Sequence, residues 1–365
     1  MTTELGSRAT DARGDAVGED AAVGKTRLKW LGLLLLAILL FVADLALGSA
    51  RVPIDAMVDI LLSRPPENPA WRTILIDFRL PKALTASLAG ASLAVAGLLM
   101  QTLFRNPLAG PYVLGISAGS SLGVAIVVLA VGSGQGALVA GLGLGGDAAV
   151  VAAAALGAAA ALGLVLLVSR RVSVLTLLIL GMLFGYASGA LVTILLHWSR
   201  AERIESYVRW TFGSFAGVTW SEWRVLAPAL ILGLVLAMAA AKPLDALHLG
   251  EVQARALGTA VGPLRTLVLI ATALLAGGVT AFCGPIGFIG VAVPHLARSL
   301  FATSEHRRLL PATALCGVSV ALAADLVSQL PGSESVLPLN AVTALLGTPV
   351  IAALVMRRRF EHAFG

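Results

Sequence analysis

The chain has 365 residues, of which 58% are hydrophobic and 13% are charged, with a mean hydropathy of +0.91 and a net charge of +6. Soluble globular proteins carry about 25% charged residues, so this composition excludes a soluble domain and indicates an integral membrane protein. The basic residues lie mostly at the ends of apolar segments and are not clustered with aromatic residues, which argues against a nucleic-acid-binding protein.

Residues 1–29 precede the first apolar segment, and we predict that they form a disordered cytoplasmic tail. Their polar, small and mixed-charge composition cannot bury enough apolar surface to fold. Within them, GEDAAVGKT at residues 18–26 resembles a phosphate-binding loop, but five residues separate its glycines where that motif has four. We therefore expect any ATP to be bound and hydrolysed by a separate chain.

Ten apolar segments follow, each close to the length of about 20 residues that crosses a bilayer as a helix. The predicted spans are 30–49, 83–104, 113–132, 147–168, 174–196, 222–241, 266–282, 286–302, 309–330 and 339–356. An even number places both termini on one side, where 17 of the 26 Lys and Arg residues then fall. Because cytoplasmic loops are enriched in these residues, both termini are predicted to be cytoplasmic.

A polar insert, DALHLGEVQARALGTAVG at residues 245–262, separates the sixth and seventh spans on the predicted cytoplasmic side. Pro243 favours a helix start, Gly250 interrupts the helix, EVQARAL consists of strong helix formers, and Gly258 favours a helix end. We predict two short helices over about 243–260. The residues alone leave two interpretations open: a stiff lever moved by a partner, or an interfacial helix that closes the loop.

Residues 79–123, RLPKALTASLAGASLAVAGLLMQTLFRNPLAGPYVLGISAGSSLG, resemble the opening of the FecCD-type permease subunits of ABC importers for iron–siderophore complexes, haem and cobalamin. Three further blocks keep the family order: LGEVQARALG at 249–258, GPIGFIGVAVPHLARSL at 284–300 and HRRLLPATALCGVSVALAADLVSQL at 306–330. The resemblance covers residues 30–360. It implies an all-α permease domain of ten transmembrane helices with the type II ABC importer permease fold, dimeric around a central pathway.

The resemblance also implies the partners and the location. These are ATPase subunits on the cytoplasmic side, an extracytoplasmic substrate-binding protein, a second permease copy or a paralogue, and a metal-chelate cargo, all at the inner (cytoplasmic) membrane. The chain itself is expected to perform no chemistry and to hold no cofactor or metal. A ferric siderophore is the expected cargo, because that class is the largest among relatives, and haem and cobalamin remain alternatives.

Two sets of contact residues follow from the resemblance. The coupling segment that meets the ATPase comprises Leu249, Gly250, Glu251, Ala254, Arg255 and Gly258, with Glu251 and Arg255 facing polar groups on the partner. On the outer face, Arg79 and Lys82 lie three residues apart at a helix start and point to the same side, where they are expected to meet carboxylates of the binding protein. A third docking position is Gln329, and Asn340 replaces a usual glycine.

Two segments are predicted to line the pathway. The loop RRVSVLT, with Ser173, Val174 and Leu175, resembles the inner gate of the family. Val174 and Leu175 replace hydroxyl residues that are common there, so this gate is expected to be more apolar and to close by excluding water. The turn GPIGFIG, with Gly284, Pro285 and Gly287, places helix breakers between two spans. Non-helical backbone within a membrane is tolerated only where protein covers it or where it lines a cavity. Simple helix packing is the alternative interpretation of this turn.

The other polar residues of the spans have structural interpretations. Asp44 and Asp325 should find partners or lie near an interface, because a charge at the bilayer centre costs about 3 kcal/mol. Cys283 and Cys316 are predicted to be packing residues, and His295 to make a structural hydrogen bond. An ion-driven secondary transporter would need paired ionisable groups in mid-span, and an intramembrane hydrolase would need a nucleophile–base pair or a metal motif; the sequence indicates neither.

Overall fold

The computed structural model describes residues 3–48, 52–62, 64–132, 146–169, 171–329 and 336–363, and these residues form an all-helical protein. Within these ranges, seven helices are long and apolar enough to cross a membrane, and three shorter apolar helices accompany them. In chain order they match the ten predicted spans. The all-α, multi-span fold is therefore confirmed; residues 49 and 330, at the ends of two predicted spans, lie outside the described residues.

The helices are numbered α1 to α16 along the chain. In the first half they are α1 Thr3–Ala46, α2 Ile54–Leu61, α3 Pro69–Thr73, α4 Leu80–Leu103, α5 Ile116–Ala125, α6 Gly146–Ser169, α7 Val174–His197 and α8 Ala201–Thr211. In the second half they are α9 Trp220–Ala239, α10 Ala241–His248, α11 Glu251–Ala256, α12 Val261–Thr272, α13 Gly278–Cys283, α14 Ile289–Phe301, α15 His306–Ser328 and α16 Leu339–Ala363.

Wider π-helical turns continue three of these helices. Ile74–Arg79 leads into α4, Ile126–Gly132 extends α5, and Ala273–Gly277 joins α12 to α13. The last of these turns makes Val261–Cys283 one continuous span of 23 residues.

The first helix differs from the sequence prediction at its start. Its backbone is helical from Thr3, whereas the sequence predicted a disordered tail over residues 1–29. Only Thr26–Ala46 has the length and apolar character of a span. Extending an existing helix needs no new nucleus, and the tail contains several Ala, Glu and Arg residues that favour helix, which is the physical reason for the difference.

The centre of the bundle is α4. In the most apolar part of Pro69–Leu103, 83% of the residues are buried, against 17% in Thr26–Ala46. Neighbouring helices approach α4 through glycines: a Cβ placed on Gly90 would collide with the backbone oxygen of Gly317 in α15, and one on Gly97 would collide with the backbone of Gly290 in α14. Small residues at helix crossings allow this close packing in membranes.

Contacts between distant segments define the two faces of the bundle. The end of α4 meets the start of α15 where Thr102 contacts His306, and α10 lies on the same face through Asp245. At the opposite end, Lys82 near the start of α4 pairs with Asp44 in α1 and Asp325 in α15. We call the first the foot face, because it carries residues 241–258, and the second the far face.

Candidate functional site

Residues 241–258, which we call the foot, consist of the two short helices α10 and α11. Gly250 separates them with φ +118°, and Gly258 follows the second helix with φ +81°. Glycine adopts these angles without the steric cost that a side chain brings. The prediction of two short helices interrupted at Gly250 is therefore confirmed.

The foot is fixed to the bundle by a series of polar contacts. The Asp245 carboxylate in α10 accepts a hydrogen bond from the backbone N–H of His306 at 2.8 Å and contacts its ring Nδ1 at 2.6 Å. The other ring nitrogen, Nε2, lies 2.9 Å from the Thr102 hydroxyl at the end of α4. These contacts connect α10 directly to the two central helices α4 and α15.

A second link runs from α11 to the neighbouring span. One oxygen of Glu251 accepts a hydrogen bond from Arg265 in α12 at 2.9 Å, and the other lies 3.2 Å from Arg255. Two arginines of its own chain therefore hold the Glu251 carboxylate, whose side chain is still 35% exposed. That it also meets a partner protein stays a prediction. Arg265 is nearly buried, whereas the Arg255 side chain is 66% exposed and still projects outward.

The outward surface of the foot carries three large apolar side chains among polar ones. Val252 is 77% exposed, and Leu249 and Leu257 are exposed on either side of it. Ala254, predicted as a contact residue, is fully buried and packs into the core. The helical period explains this correction: of the positions on this short helix, Ala254 points back toward the bundle while Val252 points away from it.

The foot and the predicted gate residues border one cavity on the foot face. The cavity has a volume of about 630 Å³ and is lined from one side by Val174, Leu175 and Leu178 at the start of α7. The foot forms another wall, with Leu247, Gly250, Glu251, Val252 and Gln253. Ser173 caps α7, because its hydroxyl accepts the Thr176 N–H at 3.2 Å. Two segments that are 75 residues apart in sequence therefore share one surface.

The far face corrects the predicted docking pair. Lys82 is buried and pairs with Asp44 at 2.9 Å and with Asp325 at 2.8 Å. Arg79 is also buried, and its guanidinium donates hydrogen bonds to the backbone oxygens of Leu45 and Ala46 at the end of α1. Instead of facing solvent, the two cations hold carboxylates and carbonyls inside the bundle. The prediction that Asp44 and Asp325 find partners is confirmed.

Gln329, the third predicted docking residue, joins the same cluster. Its amide donates a hydrogen bond to the Asp325 carboxylate at 2.6 Å. The structure therefore brings Arg79, Lys82 and Gln329 together, but around Asp44 and Asp325 rather than on an exposed surface. We call these five residues the charge cluster.

The turn containing Gly284, Pro285 and Gly287 is covered by protein. The Tyr112 hydroxyl donates to the Ile286 oxygen at 2.8 Å and accepts the Ile286 N–H at 3.2 Å. The side chain of Asn340, which replaces a usual glycine, accepts the Gly287 N–H at 3.0 Å. Gly284 has φ +75°, and a Cβ there would press on the backbone oxygen of Trp210. These partners satisfy backbone groups that a membrane would otherwise leave unpaired.

A second cavity opens near this turn at the far face. Its volume is about 740 Å³, and its lining includes Glu202, Glu205 and Arg209 of α8 together with Glu222 and Phe282. Its lining is polar on the α8 side and apolar on the side of the span that ends at Cys283.

One arrangement was not indicated by the sequence. It consists of Thr102, His306 and Asp245, which follow one another in the order of a nucleophile, a base and an orienting acid. Both Thr102 and His306 are buried, and the Thr102 hydroxyl already donates its proton to the Leu98 oxygen at 3.0 Å. The arrangement is therefore an anchor for the foot. In the part of the chain that the structure describes, no group of three or more His, Cys, Asp or Glu side chains could hold a metal ion.

Three smaller predictions are confirmed, and two residues were missed. Cys283 and Cys316 are free and buried, and the His295 ring contacts the Pro107 oxygen at 2.7 Å. Asp245 and Arg265 were not predicted as site residues, because their partners lie in segments distant in sequence. The available signal was Arg265 itself, a charged residue within the first turns of an apolar helix, where such a residue needs a partner.

The helical bundle and the anchored foot define a multi-pass membrane protein of the permease class. The chain belongs to the FecCD transport family, which matches residues 35–357. It is 37% identical over 334 residues to the vitamin B12 import system permease protein BtuC of Klebsiella pneumoniae, covering 91% of this chain and 94% of BtuC. It is 34% identical over 323 residues to the uncharacterized ABC transporter permease protein YvrB of Bacillus subtilis, covering 87% and 90%.

A solved structure has the same fold. A chain of a metal-chelate type ABC transporter in an inward-facing conformation superimposes with a TM-score of 0.77 at 31% identity, covering 90% of this chain and 98% of the other. The protein therefore has the type II ABC importer permease fold.

Proposed function

We propose that this chain is the permease subunit of an ATP-driven importer, which passes a metal chelate into the cytoplasm by alternating access. ATP is hydrolysed on separate ATPase subunits. One observation carries the proposal: the foot is anchored to the bundle at two points, yet it presents exposed Leu249, Val252 and Leu257 away from it. An apolar surface on an anchored polar segment is typical of a docking site for another protein.

The orientation and the remaining partners follow from this docking site. The foot face is cytoplasmic, because the ATPase that docks on it needs the ATP of the cytoplasm. This orientation agrees with the excess of Lys and Arg on the same side. A binding protein delivers the cargo to the far face, and a second permease copy or a paralogue completes the pathway. Since Arg79 and Lys82 are buried, we assign charge contacts with the binding protein to Arg200 and Arg224, which are exposed near the start of α8 and of α9.

The proposed cargo is a large metal chelate, with a ferric siderophore first and cobalamin second. The solved neighbour is a metal-chelate type transporter, and BtuC is named for vitamin B12 import. Uptake of labelled ferric siderophore and of labelled cobalamin is measured in liposomes that contain the reconstituted complex, with ATP and the binding protein. Uptake of the siderophore, competed by the unlabelled siderophore but not by cobalamin, supports the first candidate. The opposite result supports the second.

A substitution on the foot tests the docking site. Val252→Asp places a charge on the exposed apolar surface and should lower recovery of the ATPase with the permease about tenfold or more, equivalent to about 1.4 kcal/mol. Val336→Asp is the matched control, because Val336 is similarly exposed but follows α15 on the far face. ATPase binding and uptake that survive Val252→Asp would contradict the proposal.

An ion-driven secondary transporter is the alternative class. It would use paired carboxylates, and Asp44 and Asp325 do form such a pair around Lys82. The pair lies close to the ends of α1 and α15, however, and the lysine already compensates its charge. Uptake driven by a proton gradient without ATP, and abolished by Asp325→Asn, would favour this alternative.

A further inference from the structure

Arg265 connects the foot to the turn that leads into the gate residues. Its Nη2 donates to the Glu251 carboxylate in α11 at 2.9 Å. Its Nη1 donates to the backbone oxygens of Ser169 at 2.9 Å and of Val172 at 3.2 Å. The side chain is only 14% exposed. One guanidinium therefore bonds to both the foot and the connection between α6 and α7.

The two carbonyls belong to the connection between α6 and α7. Ser169 is the last residue of α6, and Val172 directly precedes Ser173, whose hydroxyl caps α7. The next residues, Val174 and Leu175, line the 630 Å³ cavity opposite the foot. A displacement of the Val172 oxygen therefore moves the start of α7 and changes how far these side chains extend into the cavity.

Arginine is suited to this connection because of its geometry. The guanidinium is planar and presents its donors in a fixed arrangement, so it can hold a carboxylate on one edge and carbonyls on another. Packed helices shift as rigid elements, so a movement of α11 is transmitted through this side chain rather than absorbed by it. The bond between Arg265 and Glu251 is an ion pair, because both side chains carry a charge.

We propose that Arg265 is a positioning residue that transmits displacement of the foot to the α6–α7 turn and so to the gate residues. The inference rests on the proposed function, since it assumes that a partner ATPase moves the foot. A purely structural role is the competing explanation: the guanidinium would then only satisfy the carbonyls of Ser169 and Val172 and interact with the dipole of α6. The two explanations differ in whether the bond to Glu251 matters.

The experiment measures access to the gate in the complete complex with its ATPase. In a background with Cys283→Ala and Cys316→Ala, Leu175→Cys is labelled by a bulky membrane-impermeant maleimide, with and without a non-hydrolysable ATP analogue. Leu175 is exposed and lines the cavity. We expect the labelling rate to change about tenfold between the two conditions, within the usual range of coupling between distant sites.

Two variants and one control decide the question. Glu251→Gln removes the charged bond but leaves Arg265 on the two carbonyls, and we expect the ratio of labelling rates to fall to about one. Arg265→Gln should have the same effect. Arg308→Gln removes a charge from the same face, where Arg308 is exposed and pairs with Glu305 three residues before it, and it should preserve the ratio.

Each outcome bears on a different claim. An unchanged ratio in Glu251→Gln, with the ATPase still bound, overturns the transmission role and supports the structural one. If Arg265→Gln does not assemble, Glu251→Gln alone decides, because it leaves the α6–α7 turn held. A parent complex whose labelling does not respond to nucleotide, or a permease that recovers no ATPase, contradicts the proposed function itself. If the ratio of labelling rates falls to about one in both variants while the ATPase stays bound, the inference is confirmed.

Discussion

Lys82 offers the sharpest test of the structure, because sequence and structure assign it opposite roles. The sequence predicts an exposed docking cation, whereas the structure places its ammonium group between two carboxylates inside the bundle. Lys82→Met keeps the length of the side chain and removes the charge. Loss of a buried ion-pair partner lowers the stability of the variant, whereas loss of an exposed docking cation would lower its affinity for the binding protein and leave its stability unchanged.

The size of the effect follows from what is left behind. The substitution leaves Asp44 and Asp325 buried next to each other without their shared cation. Removing one partner of a buried ion pair costs about 3–5 kcal/mol, and two neighbouring carboxylates place Lys82→Met at the upper end of that range. Replacing the whole group by neutral residues, in Asp44→Asn with Lys82→Met and Asp325→Asn, should restore most of the loss.

The assay is the free energy of unfolding of the purified permease in mixed micelles. Arg64→Met is the matched control, because Arg64 pairs with Asp59 at 3.5 Å on an exposed surface. Such exposed pairs contribute about 0–1 kcal/mol. If Lys82→Met lowers the free energy of unfolding by less than about 1 kcal/mol, as the control does, the burial of the charge cluster is refuted. Binding-protein affinity, measured on the same samples, should remain unchanged.

Three further predictions concern packing and hydrogen bonding. Gly97→Ala should destabilise by up to about 3 kcal/mol in the same unfolding assay, because its Cβ meets backbone, whereas Gly163→Ala meets nothing within 4 Å and should be neutral or stabilising. Tyr112→Phe leaves two backbone groups unpaired and should cost about 1–3 kcal/mol, while Tyr186→Phe, at an exposed position, should cost almost nothing. Thr102→Val should lower stability by about 1 kcal/mol but leave uptake intact, and abolished uptake with normal stability would instead indicate a chemical role.

Several features of the protein were determined by its local sequence. The ten apolar segments predict the helices because crossing a bilayer requires a continuous apolar stretch, and that requirement can be read from neighbouring residues. The two foot helices follow in the same way, since Gly250 and the helix formers after it act within one or two turns. The turn at Gly284 was also predicted, because glycine and proline limit the backbone locally.

The roles of the charged residues were decided by the tertiary structure. Lys82 reads as a surface cation until α1 and α15 bring Asp44 and Asp325 to it from 38 and 243 residues away. The ion pair of Glu251 with Arg265 likewise arises only because α12 places Arg265 beside it. A charge is stabilised by whichever opposite charge packing brings within a few ångströms, and that distance depends on the whole bundle rather than on neighbouring residues.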